Sequence, residues 1–92
     1  MGVLNDEQIA GALDALPGWE RDGDALACDV ECGDFKDAIG FVNRVADLAE
    51  AQNHHPDILV HGYKHVRLTL STHSEGGITE NDVALARAID AL

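Results

Sequence analysis

Residues Tyr63-Lys64-His65-Val66-Arg67-Leu68-Thr69-Leu70-Ser71-Thr72-His73 alternate without a break. Lys64, Val66, Leu68, Leu70 and Thr72 fall on one side of an extended chain, and Tyr63, His65, Arg67, Thr69, Ser71 and His73 on the other. A period of two with one apolar and one polar side predicts a strand over Tyr63–His73 that rests one face on a core and turns the other to water. Such a strand needs sheet partners and a layer to cover its apolar face, and the flanking sequence supplies both. Upstream, Phe35, Ala38, Ile39, Val42, Val45, Ala46 and Ala49 recur at steps of three and four after Asp34, predicting about five turns of helix. That helix must stop near His54-His55-Pro56, because proline has no N–H and its ring drives His55 out of the helical region.

Farther out the pattern is shorter but still legible. Asn5 and Asp6 are N-cap candidates ahead of Ile9, Ala12, Leu13 and Leu16, and Pro17-Gly18 ends this first helix. Trp19–Arg21, the Asp22-Gly23 pair and Ala25–Glu31 read as a β-hairpin. Gly76-Gly77 makes a turn, and Thr79-Glu80-Asn81-Asp82 fits a capping box before the apolar Val83, Leu85, Ala86 and Ile89. The fold class is therefore α+β: a small antiparallel sheet of three or four strands with about three helices on one face, in the order α-β-β-α-β-α. Ile58–Val60 is the optional fourth strand. Trp19, Phe35 and Phe41 are assigned to the core, and His61 to a loop.

The 92 residues allow one domain, 1–92. Six Lys+Arg stand against 17 Asp+Glu, a formal charge of −11, which argues against nucleic acid or an anionic membrane as a direct partner. No apolar run approaches the roughly 20 residues of a membrane span, and the N-terminus lacks the basic start and apolar stretch of a secretory signal. A cytoplasmic protein is expected. Cys28 and Cys32, on one face of a strand, would lie roughly 13 Å apart, too far for a disulfide. No second ligand pair completes a metal site, so reduced thiols are expected and no metal or cofactor is assigned.

All five histidines, at 54, 55, 61, 65 and 73, fall within one 20-residue window. Imidazole exchanges protons near neutrality, so a cluster of this kind suits acid–base catalysis as well as metal binding. His54 and His55 lie at a helix C-terminus, whose partial negative charge attracts a protonated ring. Their side chains diverge, so they can wall a pocket more easily than chelate one ion. His73, at the end of the strand, can face them if strand and helix are neighbours. His61 and His65 are read as surface residues without chemistry, and Asp82 as the helix cap alone.

Glu50, then His54-His55-Pro56, Tyr63, His73 and Asp82 at these spacings resemble the signature of the pterin-4a-carbinolamine (4a-hydroxytetrahydrobiopterin) dehydratase family. Leu70-Ser71-Thr72-His73 with Gly76-Gly77-Ile78-Thr79, and Leu16-Pro17-Gly18-Trp19, are similar to it too, so the likeness spans nearly the whole chain. The resemblance implies a hydro-lyase of pterin recycling that converts a 4a-hydroxytetrahydropterin to a quinonoid dihydropterin and water without a cofactor. His54 and His73 would be the acid–base pair, and His55 would position the pterin and assist. Glu50, Asn53, Pro56, Tyr63, Ser71 and Thr72 would line the substrate site. Apart from the likeness, helical spacing sets Glu50 one turn before His54, placed to hydrogen-bond and orient an imidazole. A homodimer or homotetramer is implied as well. Asn53 stands where animal members tend to carry Asp, and Ile58 and Leu59 where they carry aromatics, which leaves the preferred pterin open. The alternatives are a non-catalytic dimerisation module, since animal members also partner a transcription factor, and a histidine metal site.

Overall fold

Leu68 stands between Cys28 on one neighbouring strand and Ile58 on the other, and this pairing centres the sheet. The computed structural model describes residues 2–92. Its elements are α1 (Asp6–Asp14), β1 (Trp19–Asp22), β2 (Ala25–Glu31), α2 (Phe35–Gln52), β3 (Asp57–His61), β4 (His65–Leu70) and α3 (Glu80–Asp90). The optional strand is present, so the order is α-β-β-α-β-β-α. The four strands form one antiparallel sheet in the order β1-β2-β4-β3.

The alternation sorts the two faces as predicted. Val66, Leu68 and Leu70 are fully buried, as is Leu26 from β2, and together with Cys28 they pack against Ile9, Val45, Ala49, Val83, Leu85 and Ile89 from the three helices. The helices thus cover one face and the other stays polar. There the Arg67 guanidinium reaches Asp29 at 2.6 Å and Asp22 at 3.3 Å across the strands. Trp19 is core, its indole N–H donating to Asp90 at 2.9 Å.

Several expectations are corrected. The long strand is shorter at both ends, because His61 pairs with His65 and leaves Gly62, Tyr63 and Lys64 as a turn. Gly62 and Tyr63 there take φ of 52° and 56°, the left-handed region, which ends the extended run. His61 closes β3 instead of lying in a loop, and its ring stacks on that of His65 at 5.5 Å between centroids. At the other end Ser71 is outside the strand, and Thr72 keeps only a bridge to Gly77. Phe35 is 54% exposed, not core: it opens α2 one turn ahead of the first buried position, Ala38. Cys28 and Cys32 are free thiols.

Candidate active site

The site grows from the end of α2. Asn53 takes the left-handed conformation (φ 50°, ψ 44°) that a helix C-terminus favours in Gly or Asn, and the His54 N–H then closes back onto the Ala49 carbonyl at 3.0 Å. This closure, with Pro56 preventing further helix, turns His54 inward and leaves His55 exposed.

His54 Nε2 lies 2.5 Å from Asp82 Oδ1. The His54 side chain is 12% exposed and that of Asp82 is 0% exposed. The second carboxylate oxygen, Asp82 Oδ2, accepts from the Thr79 backbone N–H and from the Thr72 hydroxyl, each at 2.9 Å, and Thr72 and Thr79 share a hydroxyl contact of 2.8 Å. Asp82 is therefore both the N3 member of the α3 capping box and the anchor of the imidazole. Reading it as a cap alone accounted for only one of its oxygens. The capping motif itself hid the other role, since it explains a carboxylate at this position without calling on a distant ring.

Glu50 is corrected in a related way. Helical spacing points it at His54, one turn on, but the imidazole its carboxylate pairs with is that of His55, at Nε2, and both side chains are exposed. The left-handed turn at Asn53 swings His54 under the helix toward Asp82 and leaves His55 as the ring Glu50 can reach.

His73 follows Thr72 directly, so the network that anchors His54 also fixes the backbone from which His73 projects. Thr72 holds that turn, accepting at its carbonyl from the Gly76 N–H at 2.9 Å and donating its own N–H to Gly77 at 2.8 Å. The His73 ring is exposed on an open groove of about 390 Å³ that it shares with Ser71, Thr69, Asp57, Asp24 and Ala25. The Ser71 hydroxyl donates to the Asp24 carbonyl at 3.0 Å. His54 and His55 do not line this groove, whereas Asp57, three residues after His54, does. Sequence reasoning missed Asp57, which carries no spacing signal apart from its place after the His-His-Pro run.

Tyr63 does not join this group within one chain. It sits at the turn between β3 and β4, past His61, whereas Asp57 and Thr69 mark the opposite end of that strand pair. Four residues of strand separate the two ends, roughly 13 Å. The described residues hold no group of three or more His, Cys, Asp or Glu placed to bind a metal ion. A second open groove, lined by Cys32, Lys36, Asp37, Phe41 and Arg44, contains none of the predicted site residues. No helix among the described residues is long and apolar enough to cross a membrane.

Comparison with known proteins bears on the whole chain. A family profile described as Pterin 4 alpha carbinolamine dehydratase matches residues 2–92. A protein of Thermomicrobium roseum, provisionally named pterin-4-alpha-carbinolamine dehydratase, is 52% identical over 92 residues, covering 100% of this chain and 98% of its own. One of Mycobacteroides abscessus with the same provisional name is 51% identical over 90 residues, covering 98% and 95%. Among solved structures, a transcriptional coactivator/pterin dehydratase from Brucella melitensis superposes with a TM-score of 0.92 at 37% identity, covering 98% of this chain and 97% of that one. A pterin dehydratase-like protein described as a RuBisCO assembly factor in the alpha-carboxysome matches with a TM-score of 0.66 at 27% identity, over 80% of this chain and 87% of the other.

Proposed function

Because the chain belongs to the pterin 4 alpha carbinolamine dehydratase family, we propose that it is a hydro-lyase acting on a 4a-hydroxytetrahydropterin, with His54 and His73 exchanging the protons and His55 positioning the ring. In that reaction the C4a–O bond breaks and the leaving hydroxyl takes a proton, while the proton on the adjacent ring nitrogen goes to a base. The products are a quinonoid dihydropterin and water, and no redox change occurs.

The observation that carries this reading is the bond between His54 and the buried Asp82. A carboxylate that already accepts two donors through one oxygen is an acceptor toward the ring through the other, so Nε2 bears hydrogen and Nδ1 is the nitrogen free for substrate. When Nδ1 takes a proton, Asp82 faces the charge the ring acquires. This is the division of labour between an orienting carboxylate and a working imidazole. His73, exposed on the groove, is assigned to the leaving hydroxyl, with Ser71, Thr72, Asn53 and Pro56 shaping the substrate site.

A binding role is the second reading, favoured by the relative described as an assembly factor. A scaffold has no need of a histidine bonded to a buried carboxylate. The deciding experiment prepares a 4a-hydroxytetrahydropterin chemically and follows quinonoid dihydropterin by absorbance. Acceleration over buffer is expected, and a rate equal to buffer would remove the enzyme reading.

A further inference from the structure

His54 bonds Asp82 and His55 pairs with Glu50, but the His73 ring bonds no protein group among the described residues. Its place is therefore set by the backbone that carries it. That backbone is the turn over residues 73–76, all of them exposed. From inside, the turn is closed by the Thr72 carbonyl, which accepts from the Glu75, Gly76 and Gly77 N–H groups, and by the contacts that tie Thr72 and Thr79 to Asp82.

From outside, it is held by Val3 and Leu4. The Leu4 N–H donates to the Ile78 carbonyl at 2.8 Å, and Val3 lies over Gly77. Gly77 is buried although it follows the exposed Glu75 by two residues, and the atoms nearest its open side all belong to Val3. The fit leaves no room for a side chain. A methyl group on Gly77 would stand 2.9 Å from Val3 Cγ1, well inside the separation of about 3.5–4.0 Å at which carbon atoms pack. Both ends of the Leu4 bond are fixed: the Leu4 side chain packs against the core, the next residue, Asn5, forms the α1 capping box with Gln8, and Ile78 is fully buried. A strap rooted in α1 thus crosses Gly77 and Ile78, the two residues that join the His73 turn to Thr79 and the Asp82 network.

We propose that Val3 and Leu4 clamp this turn and are positioning residues for His73. The clamp stands on the contacts alone; its service to His73 rests on the dehydratase reading. An imidazole with no partner of its own moves with its backbone, so lifting the strap shifts the ring relative to the leaving hydroxyl. His55 and Glu50 lie off this turn, so the loss falls on kcat more than on KM.

The φ of Gly77 is outside the left-handed region, so Gly77→Ala tests the clamp through crowding at Val3 alone. The Leu4 amide, protected in the wild type by its bond to Ile78, is expected to exchange freely with solvent by NMR in that variant. Its kcat is expected to fall by up to about 10²-fold, the loss from an ångström of misplacement, with KM little changed. Adding Val3→Ala to the same chain is expected to restore both, because Val3 Cβ stands 3.8 Å from the new methyl, an ordinary contact. In a His73→Ala background, Gly77→Ala is expected to cost no further rate, as for residues acting through one another. Free exchange at Leu4 in the wild type, or protection unchanged by Gly77→Ala, overturns the clamp. Its role for His73 is overturned if Gly77→Ala frees Leu4 and keeps the wild-type kcat, if the loss persists without His73, or if Val3→Ala restores the amide and not the rate. Should Gly77→Ala not fold, Val3→Gly, which uncovers Gly77 without adding an atom, carries the same expectations for Leu4 and kcat. If the wild type does not turn over the carbinolamine, the role for His73 falls with the dehydratase reading, while exchange at Leu4 still judges the clamp.

Discussion

The carboxylate of Asp82 bonds His54 Nε2 at 2.5 Å through one oxygen and caps α3 through the other, accepting from Thr79 N–H at 2.9 Å. One buried residue therefore couples helix stability to the orientation of the proposed catalytic ring. Asp82→Asn keeps an acceptor for the cap but offers the ring a group that can be either donor or acceptor. It should fold, and its turnover should fall roughly 10–100-fold, the loss typical when a carboxylate behind a functional imidazole is removed. Asp82→Ala should show that loss together with about 0.5–2 kcal/mol of destabilisation from the missing cap. Urea melts and carbinolamine assays on both variants separate the two effects. An Asn variant with normal turnover would return Asp82 to the role of cap alone.

His54→Ala and His73→Ala should each lower turnover by roughly 10²–10⁴, the range for a placed acid or base, with the fold retained. His55→Ala should act mainly on KM, since that ring is exposed and paired with Glu50. Steady-state kinetics on the three variants give the ranking. Near-normal rates from both of the first two would remove them from the chemistry.

Asn53 ends α2 in the left-handed region, and the inward turn of His54 depends on it. Asn53→Gly should preserve both stability and activity, because glycine adopts this conformation without steric cost. Asn53→Ala should cost about 1 kcal/mol, the penalty for an ordinary side chain there, and should lower turnover by loosening His54. If both substitutions lower turnover equally with native stability, Asn53 contacts substrate directly and does more than shape the turn.

The elements were legible because the signals behind them are local. The alternation over Val66, Leu68 and Leu70 and the three-and-four spacing along α2 each report one buried face, and burial is what the coordinates bear out. The end of the long strand at Tyr63 was not legible, because nothing in Tyr-Lys breaks an alternating pattern; the break comes from the left-handed pair Gly62 and Tyr63, set by the pairing of His61 with His65. The candidate site was half legible for the same reason. The spacing singled out His54, His55 and His73, but which carboxylate meets which ring depends on tertiary geometry. Asp82 lies 28 residues from His54, and Glu50, the closer candidate in sequence, is drawn to the neighbouring ring.

The pair of Glu50 and His55 is open to water, so its worth lies in placement more than in stability. Glu50→Gln should change the unfolding free energy by less than about 1 kcal/mol, as for other exposed pairs. Its effect should be a raised KM with kcat nearly unchanged, because it frees His55 to leave its position while His54 keeps Asp82. A fall in kcat as large as that of His54→Ala would mean that Glu50 acts on the reacting groups themselves.

Burial, with Asp90 and Asp29 nearby, pushes the Cys28 thiol up from its ordinary 9.0 to about 11. A group whose folded value is raised holds its proton longer in the folded chain than in the unfolded one, so its stability contribution is complete below pH 9 and is lost as pH climbs to about 11. Thermal melts between pH 8 and 11 should accordingly fall more steeply for the wild type than for Cys28→Ala. That variant should start lower at pH 8 because it leaves a cavity, yet lose less with pH because it has no thiol to ionise. At pH 8 a thiol reagent should modify the half-buried Cys32 first and reach the buried Cys28 only on unfolding, since the thiolate is the reactive form. Parallel pH profiles for the two proteins would mean that the Cys28 proton plays no part in the alkaline loss of stability.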